Sequence, residues 1–102
     1  AIPFLAAGGR GCISVTSNIA PRLCGDLHDA WQAGDKKKTM EIQDQLMPLH
    51  SALFCETSPG PVKYAAKLLG KCSDDVRLPL CEIEDRSKKI VEAAMTKTGL
   101  IN

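Results

Sequence analysis

The chain has 102 residues, of which 44% are hydrophobic and 25% charged, and a formal net charge of +1 at pH 7. A chain of this length builds at most one small domain, and so balanced a charge supplies no field to attract nucleic acid or an anionic membrane. The apolar runs are too short to span a bilayer, and no basic flank precedes an apolar core of signal-peptide length. The chain therefore reads as cytoplasmic, with neither nucleic acid nor membrane as a partner.

The first residues, Ala1-Ile2-Pro3-Phe4-Leu5-Ala6-Ala7, are apolar where a terminus is ordinarily polar and frayed. They read as the last turns of a helix belonging to something longer, stopped by Gly8, with Gly9 and Gly11 in the turn. Cys12-Ile13-Ser14-Val15-Thr16 follows, β-branched at three positions and apolar on both faces. That pattern predicts a strand over about 12–16, covered on both sides as in a parallel sheet.

Four helices are predicted after it. Asn18 is a candidate N-cap and Pro21 fits a first turn, with Leu23, Leu27, Ala30 and Trp31 at helical spacing until Gly34. Asp35 caps the next helix, whose face is Ile42, Leu46, Leu49 and Leu53, with Met40, Met47 and Phe54 beside it. Pro48 removes one helical hydrogen bond and predicts a kink. Ser58-Pro59-Gly60-Pro61 is a turn opening a helix over Val62 to Leu69, which Gly70 terminates. Residues 71–83 lack a helical period and read as an extended, packed connection. The last helix runs from about Asp85 to Thr98, with Ile90, Val91, Ala94 and Met95 as its face and Gly99 as its C-cap.

Little in this pattern carries chemistry. Five cysteines at 12, 24, 55, 72 and 81 are odd in number and lack C-x-x-C spacing, so they read as reduced thiols, three of them in apolar surroundings. His28 and His50 stand 22 residues apart without H-E-x-x-H or clustered carboxylates, and read as residues on helix flanks. No metal site is expected. The glycines at 8, 9 and 11 close a helix and enter a strand, the reverse of a phosphate loop. Lys36-Lys37-Lys38 reads as a solvated face. No serine lies in a G-x-S-x-G elbow, and no lysine stands in or beside the strand.

A solitary strand raises an accounting problem. Each of its N–H and C=O groups, if buried unpaired, costs roughly 1–3 kcal/mol, against a typical total stability of roughly 5–15 kcal/mol. The missing sheet is therefore expected in residues outside this sequence or in another chain. Helix, glycine turn, strand and helix is the rhythm of a parallel α/β unit, in which the reactive ends are the C-terminal ends of strands, here about Ser14 to Asn18.

The run Gly-Gly-Arg-Gly-Cys-Ile-Ser-Val-Thr-Ser-Asn-Ile-Ala-Pro at 8–21 resembles the last barrel strand of the dihydrodipicolinate synthases. Leu46-Met47-Pro48-Leu49, Ala52-Leu53-Phe54, Pro61-Val62-Lys63 and Val76-Arg77-Leu78-Pro79-Leu80 stand in that family's order and spacing. The resemblance implies an α/β parent, a (β/α)8 TIM barrel followed by a C-terminal helical domain, with this chain mostly helical. Residues 1–34 would end the barrel and 35–102 form the helical domain. It also implies a cofactor-free homotetrameric lyase of lysine and diaminopimelate biosynthesis, condensing pyruvate with aspartate semialdehyde through a Schiff base.

The family's Schiff-base lysine, proton-relaying tyrosine and carboxylate-binding arginine belong to earlier strands, so no catalytic residue is expected here. Lys63, Tyr64 and Arg77 do not match those roles. Ile13 matches the position whose backbone contacts pyruvate, and Gly8 and Gly11 match the turn that sets the strand. Ser58 departs from the asparagine of the family's Asn-Pro-x-Pro-Val-Lys motif. Two other readings stay open: an N-acetylneuraminate lyase-like keto-acid aldolase, and a non-enzymatic helical interaction module whose first eighteen residues dock on a partner's sheet.

Overall fold

The computed structural model describes all 102 residues. Its elements are α1 (Ile2–Ala6), a 3-10 helix (Thr16–Asn18), α2 (Pro21–Gln32), α3 (Lys36–Ala52), α4 (Gly60–Leu68) and α5 (Asp85–Thr98). No helix is long and apolar enough to cross a membrane.

The strand expected over 12–16 is absent, and this corrects the reading of the sequence. No backbone N–H from Arg10 to Thr16 donates a hydrogen bond. A strand exists through its ladder, and this chain offers no neighbour to build one. The segment therefore runs without regular structure until the 3-10 turn takes over at Thr16. Nor is it covered on both faces: Cys12 is exposed and Ile13 fully so, Ser14 and Val15 are half-buried, and Thr16 is buried.

The turn before it is tight. Gly8 takes a φ of +99°, open to glycine at little cost. The chain then folds back on α1, with the Gly9 N–H donating to the Phe4 carbonyl at 2.8 Å. A Cβ on Gly9 would lie 2.1 Å from the Phe4 ring and 2.8 Å from that carbonyl oxygen. Gly11 lies in open space and has no left-handed φ.

Asn18 does not cap α2. It closes the 3-10 turn, and the N-cap is Ala20, because Pro21 stands in the first turn and holds the residue before it out of the helical region. Leu27 and Ala30 are buried, while Leu23 and Trp31 pack at the margin of the core. Gly34, with φ +75°, turns the chain into α3. There the Asp35 carboxylate accepts from the Lys38 N–H at 3.0 Å, as an N-cap does. α3 continues through Pro48 as one element to Ala52.

Residues 69–84 link α4 to α5 without regular secondary structure beyond turns. Packing here is uneven: Ile83 is buried and Val76 and Leu80 half-buried, but Leu78 is exposed, short of the packed connection expected. The start of α5 is fastened by Glu56, whose carboxylate accepts from the Glu84 N–H at 2.8 Å. The Ser87 hydroxyl and that N–H together hold the Glu56 carboxyl below its ordinary pKa.

One core runs through the chain. Leu5, Ile19, Ala20 and Leu27 join Ile42, Leu46, Leu49 and Leu53 of the α3 face and Val91, Ala94 and Met95 of α5 in a continuous cluster that crosses Gly34. Leu49, Leu53, Val91 and Met95 are fully buried, each such side chain contributing about 1.5–3 kcal/mol by transfer from water. Ala52, Ala65 and Ala94 are small enough to let the helices approach closely. Ile90, expected on the α5 face, is partly exposed at its edge, as are Met40, Met47 and Phe54 around α3.

Candidate functional site

The segment after Gly9 is held by its own short polar side chains. Ser14 Oγ accepts from the Ser17 N–H at 3.1 Å, and Ser17 Oγ donates to the Ser14 carbonyl at 2.9 Å. Asn18 Nδ2 donates to the Val15 carbonyl at 3.0 Å, and the Thr16 carbonyl accepts from the N–H groups of Ile19 and Ala20. Serine and asparagine compete with strand pairing in this way, so the turn holds without a sheet.

One hydrogen bond ties this turn to the long helix. Thr16 Oγ1 lies 2.6 Å from His50 Nδ1, across 34 positions of sequence. Thr16 is buried and His50 half-buried. Burial lowers the His50 pKa below its ordinary value. The ring is therefore neutral near pH 7, able to accept from the threonine hydroxyl or donate to it.

Beside this pair opens a cavity of about 510 Å³, walled by Cys12 to Ser17 on one side, Cys24 and His28 of α2 on another, and Gln43 and His50 of α3. The two histidines, read from the sequence as unrelated flank residues, thus share one cavity. Cys24 has its pKa raised by burial; the Ser14 hydroxyl works the other way and the neighbouring Cys12 adds to the rise. A raised thiol pKa makes Cys24 a poor nucleophile at neutral pH.

No lysine, arginine, aspartate, glutamate or tyrosine side chain lines this cavity, so its walls can bind and orient but hold no side-chain amine for imine formation and no carboxylate base. No three His, Cys, Asp or Glu side chains cluster to hold a metal ion. All five cysteines are free thiols; Cys24 and Cys55 pack against the core, and Cys12, Cys72 and Cys81 are exposed, so fewer have apolar surroundings than expected. Ile13 stands at the cavity wall with its side chain in the open.

Lys63, Tyr64 and Arg77 lie elsewhere. Tyr64 Oη donates to Glu92 Oε1 at 2.5 Å across the α4–α5 contact, and the Lys88 ammonium stands 5.6 Å from the Tyr64 ring centre. That carboxylate, and burial after it, push the Tyr64 pKa up to about 12. Lys88 also pairs with Glu82, and Lys63 donates to the Asp75 carbonyl. Tyr64 thus staples α4 to α5, and the two lysines tie those helices to the connection between them.

Reading the sequence missed the Thr16–His50 pair. The one available signal was spacing: His50 follows Leu46 by four residues, which places it beside the buried stripe of α3.

With this geometry in hand, the likeness to known proteins is informative. The sequence profile of the "Dihydrodipicolinate synthetase family" matches residues 1–98. The 4-hydroxy-tetrahydrodipicolinate synthase of Rhodospirillum centenum is 57% identical over 101 residues, covering 99% of this chain and 35% of that protein. The crystal structure of dihydrodipicolinate synthase from Thermotoga maritima superposes with a TM-score of 0.94 at 37% identity, over 97% of this chain and 34% of that one. The chloride-inhibited dihydrodipicolinate synthase from Acinetobacter baumannii complexed with pyruvate superposes with a TM-score of 0.90 at 31% identity, over 97% and 34%. The chain thus spans about a third of the length of the relatives it matches. Over nearly all of its residues, it belongs to the dihydrodipicolinate synthetase family.

Proposed function

We propose that this chain is the C-terminal part of a Schiff-base lyase that condenses pyruvate with L-aspartate semialdehyde in lysine and diaminopimelate biosynthesis. The observation that carries the reading is the family match over residues 1–98 in a chain a third as long as its relatives. The unpaired backbone from Arg10 to Thr16 accords with it, since a ladder on that segment would take its partners from outside this sequence. In this reading residues 1–34 end a (β/α)8 barrel and residues 35–102 form the helical domain behind it. The assembled enzyme is a cytoplasmic homotetramer that works without a cofactor.

The Ile13 backbone contacts pyruvate, and Gly8 and Gly11 shape the approach to it. Support comes from the position of Ile13 on the cavity wall with its backbone N–H unpaired. The covalent step belongs to a lysine outside this chain, whose amine adds to the pyruvate carbonyl and expels water to give the imine. The 102 residues alone are therefore inactive. Incubation with pyruvate and borohydride is expected to leave the mass of this chain unchanged while the intact synthase gains a reduced pyruvyl group. A lysine adduct on this chain, or none on the intact protein, would contradict the reading.

A further inference from the structure

We propose that the Thr16–His50 hydrogen bond positions the Ile13 backbone for the keto acid, which makes Thr16 and His50 positioning residues of that site. This rests on the reading of the chain as part of the synthase. Among all hydrogen bonds of residues 9–18, the Thr16–His50 bond at 2.6 Å is the one that reaches α3, α4 or α5. The other bonds of that stretch stay within the turn or reach no further than α1 and α2, as from Gly9 to the Phe4 carbonyl and from Ser14 to Cys24. Thr16 is also the residue on which the turn converges, since its carbonyl takes the N–H groups of both Ile19 and Ala20.

The chemistry favours a single defined position. Thr16 is 2% exposed, so its hydroxyl has little access to water, and no other partner bonds it. Losing the imidazole would leave a buried hydroxyl unpaired. His50 in turn is held on α3, whose Leu46 and Leu49 are among the most deeply buried side chains of the core. The bond thus carries the rigidity of the helical core into a turn three residues beyond Ile13. Both residues line the cavity, and the role proposed for them is exerted through the backbone they hold in place.

The test uses Thr16→Val in the intact synthase, with steady-state kinetics in pyruvate. The KM for pyruvate is expected to rise about tenfold, the effect of losing about one buried hydrogen bond, with kcat changed less than about twofold. Thr16→Ser, which keeps the hydroxyl, is expected to keep KM near that of the unsubstituted enzyme, and His50→Asn, which keeps a polar group near the Nδ1 position, to raise it less than Thr16→Val does. Thr98→Val serves as a control: its hydroxyl is also buried, bonding the Ala94 carbonyl at 2.7 Å, but it lies at the far end of α5. An unchanged KM in active Thr16→Val would overturn the proposal. So would equal loss of activity in Thr16→Val and Thr98→Val without rescue by serine, because that pattern reports stability alone. If the unsubstituted synthase forms no adduct with pyruvate, the functional reading fails first and the positioning role falls with it.

Discussion

Residues 36–98 and residues 9–16 meet the same demand in opposite ways. In the helical part, backbone groups pair within α3, α4 and α5, and side chains close the ends: Asp35 on the Lys38 N–H, Glu56 on the Glu84 N–H. In the earlier stretch no N–H from Arg10 to Thr16 finds a partner, and Cys12 and Ile13 stand in the open. A helix satisfies its own backbone and a strand does not. A β-branched sequence therefore keeps its composition but takes no strand structure where the chain offers no neighbour. The contrast separates the backbone this chain pairs for itself from the backbone it leaves unpaired.

The largest test of that contrast pairs one substitution from each part. Leu49→Ala removes a fully buried side chain and is expected to cost about 2–5 kcal/mol; Ile13→Ala removes one already in water and is expected to cost less than about 0.5 kcal/mol. Urea unfolding of both variants measures the difference, and comparable losses would break the comparison.

Next in size is the α4–α5 staple. Tyr64→Phe keeps the ring under Lys88 but loses the bond to Glu92, at an expected cost of about 1–2 kcal/mol in the same assay. The sign of its pH dependence follows from the raised phenol. With a pKa of about 10 unfolded and about 12 folded, Tyr64 contributes stability that is full below pH 10 and is lost as pH rises toward 12. A fall in melting temperature across that window, absent in Tyr64→Phe, is expected.

The smallest effect belongs to His50. Its pKa is lowered in the folded chain, so the unfolded chain binds the proton more readily. Stability is full above about pH 6.5, the ordinary histidine value, and declines as pH falls through it toward the folded value. Thermal melts between pH 7.5 and 5 should show that decline, and His50→Asn should flatten it. A rise in stability on acidification would reverse the assignment.

Much of the helical part was legible because its signals are local. Asp85 to Thr98 is the observed span of α5, since Asp85 favours the N-terminal end of the helix dipole and Gly99 takes the left-handed φ of +88° that ends it. Gly34 and Gly70 end their helices in the same way. The strand was misread because β-branched composition reports a preference for pairing, whereas the ladder depends on a neighbour. Asn18 was misplaced as a cap because a 3-10 turn, invisible to helical periodicity, consumed Thr16 to Asn18 before Pro21 opened α2. At the candidate site, Ile13 was named from its motif alone, whereas the Thr16–His50 pair joins residues 34 apart, and only folding brings them together.

Amide hydrogen exchange on the dilute monomeric chain tests the central contrast most directly. The amides of Arg10 to Val15 are expected to exchange at nearly the rate of an unstructured peptide, while those of Leu46, Leu49, Val91 and Met95 approach the protection of global unfolding. Protection of Cys12 to Val15 equal to that of α3 would show that the segment has found a partner within the chain, and would contradict the account.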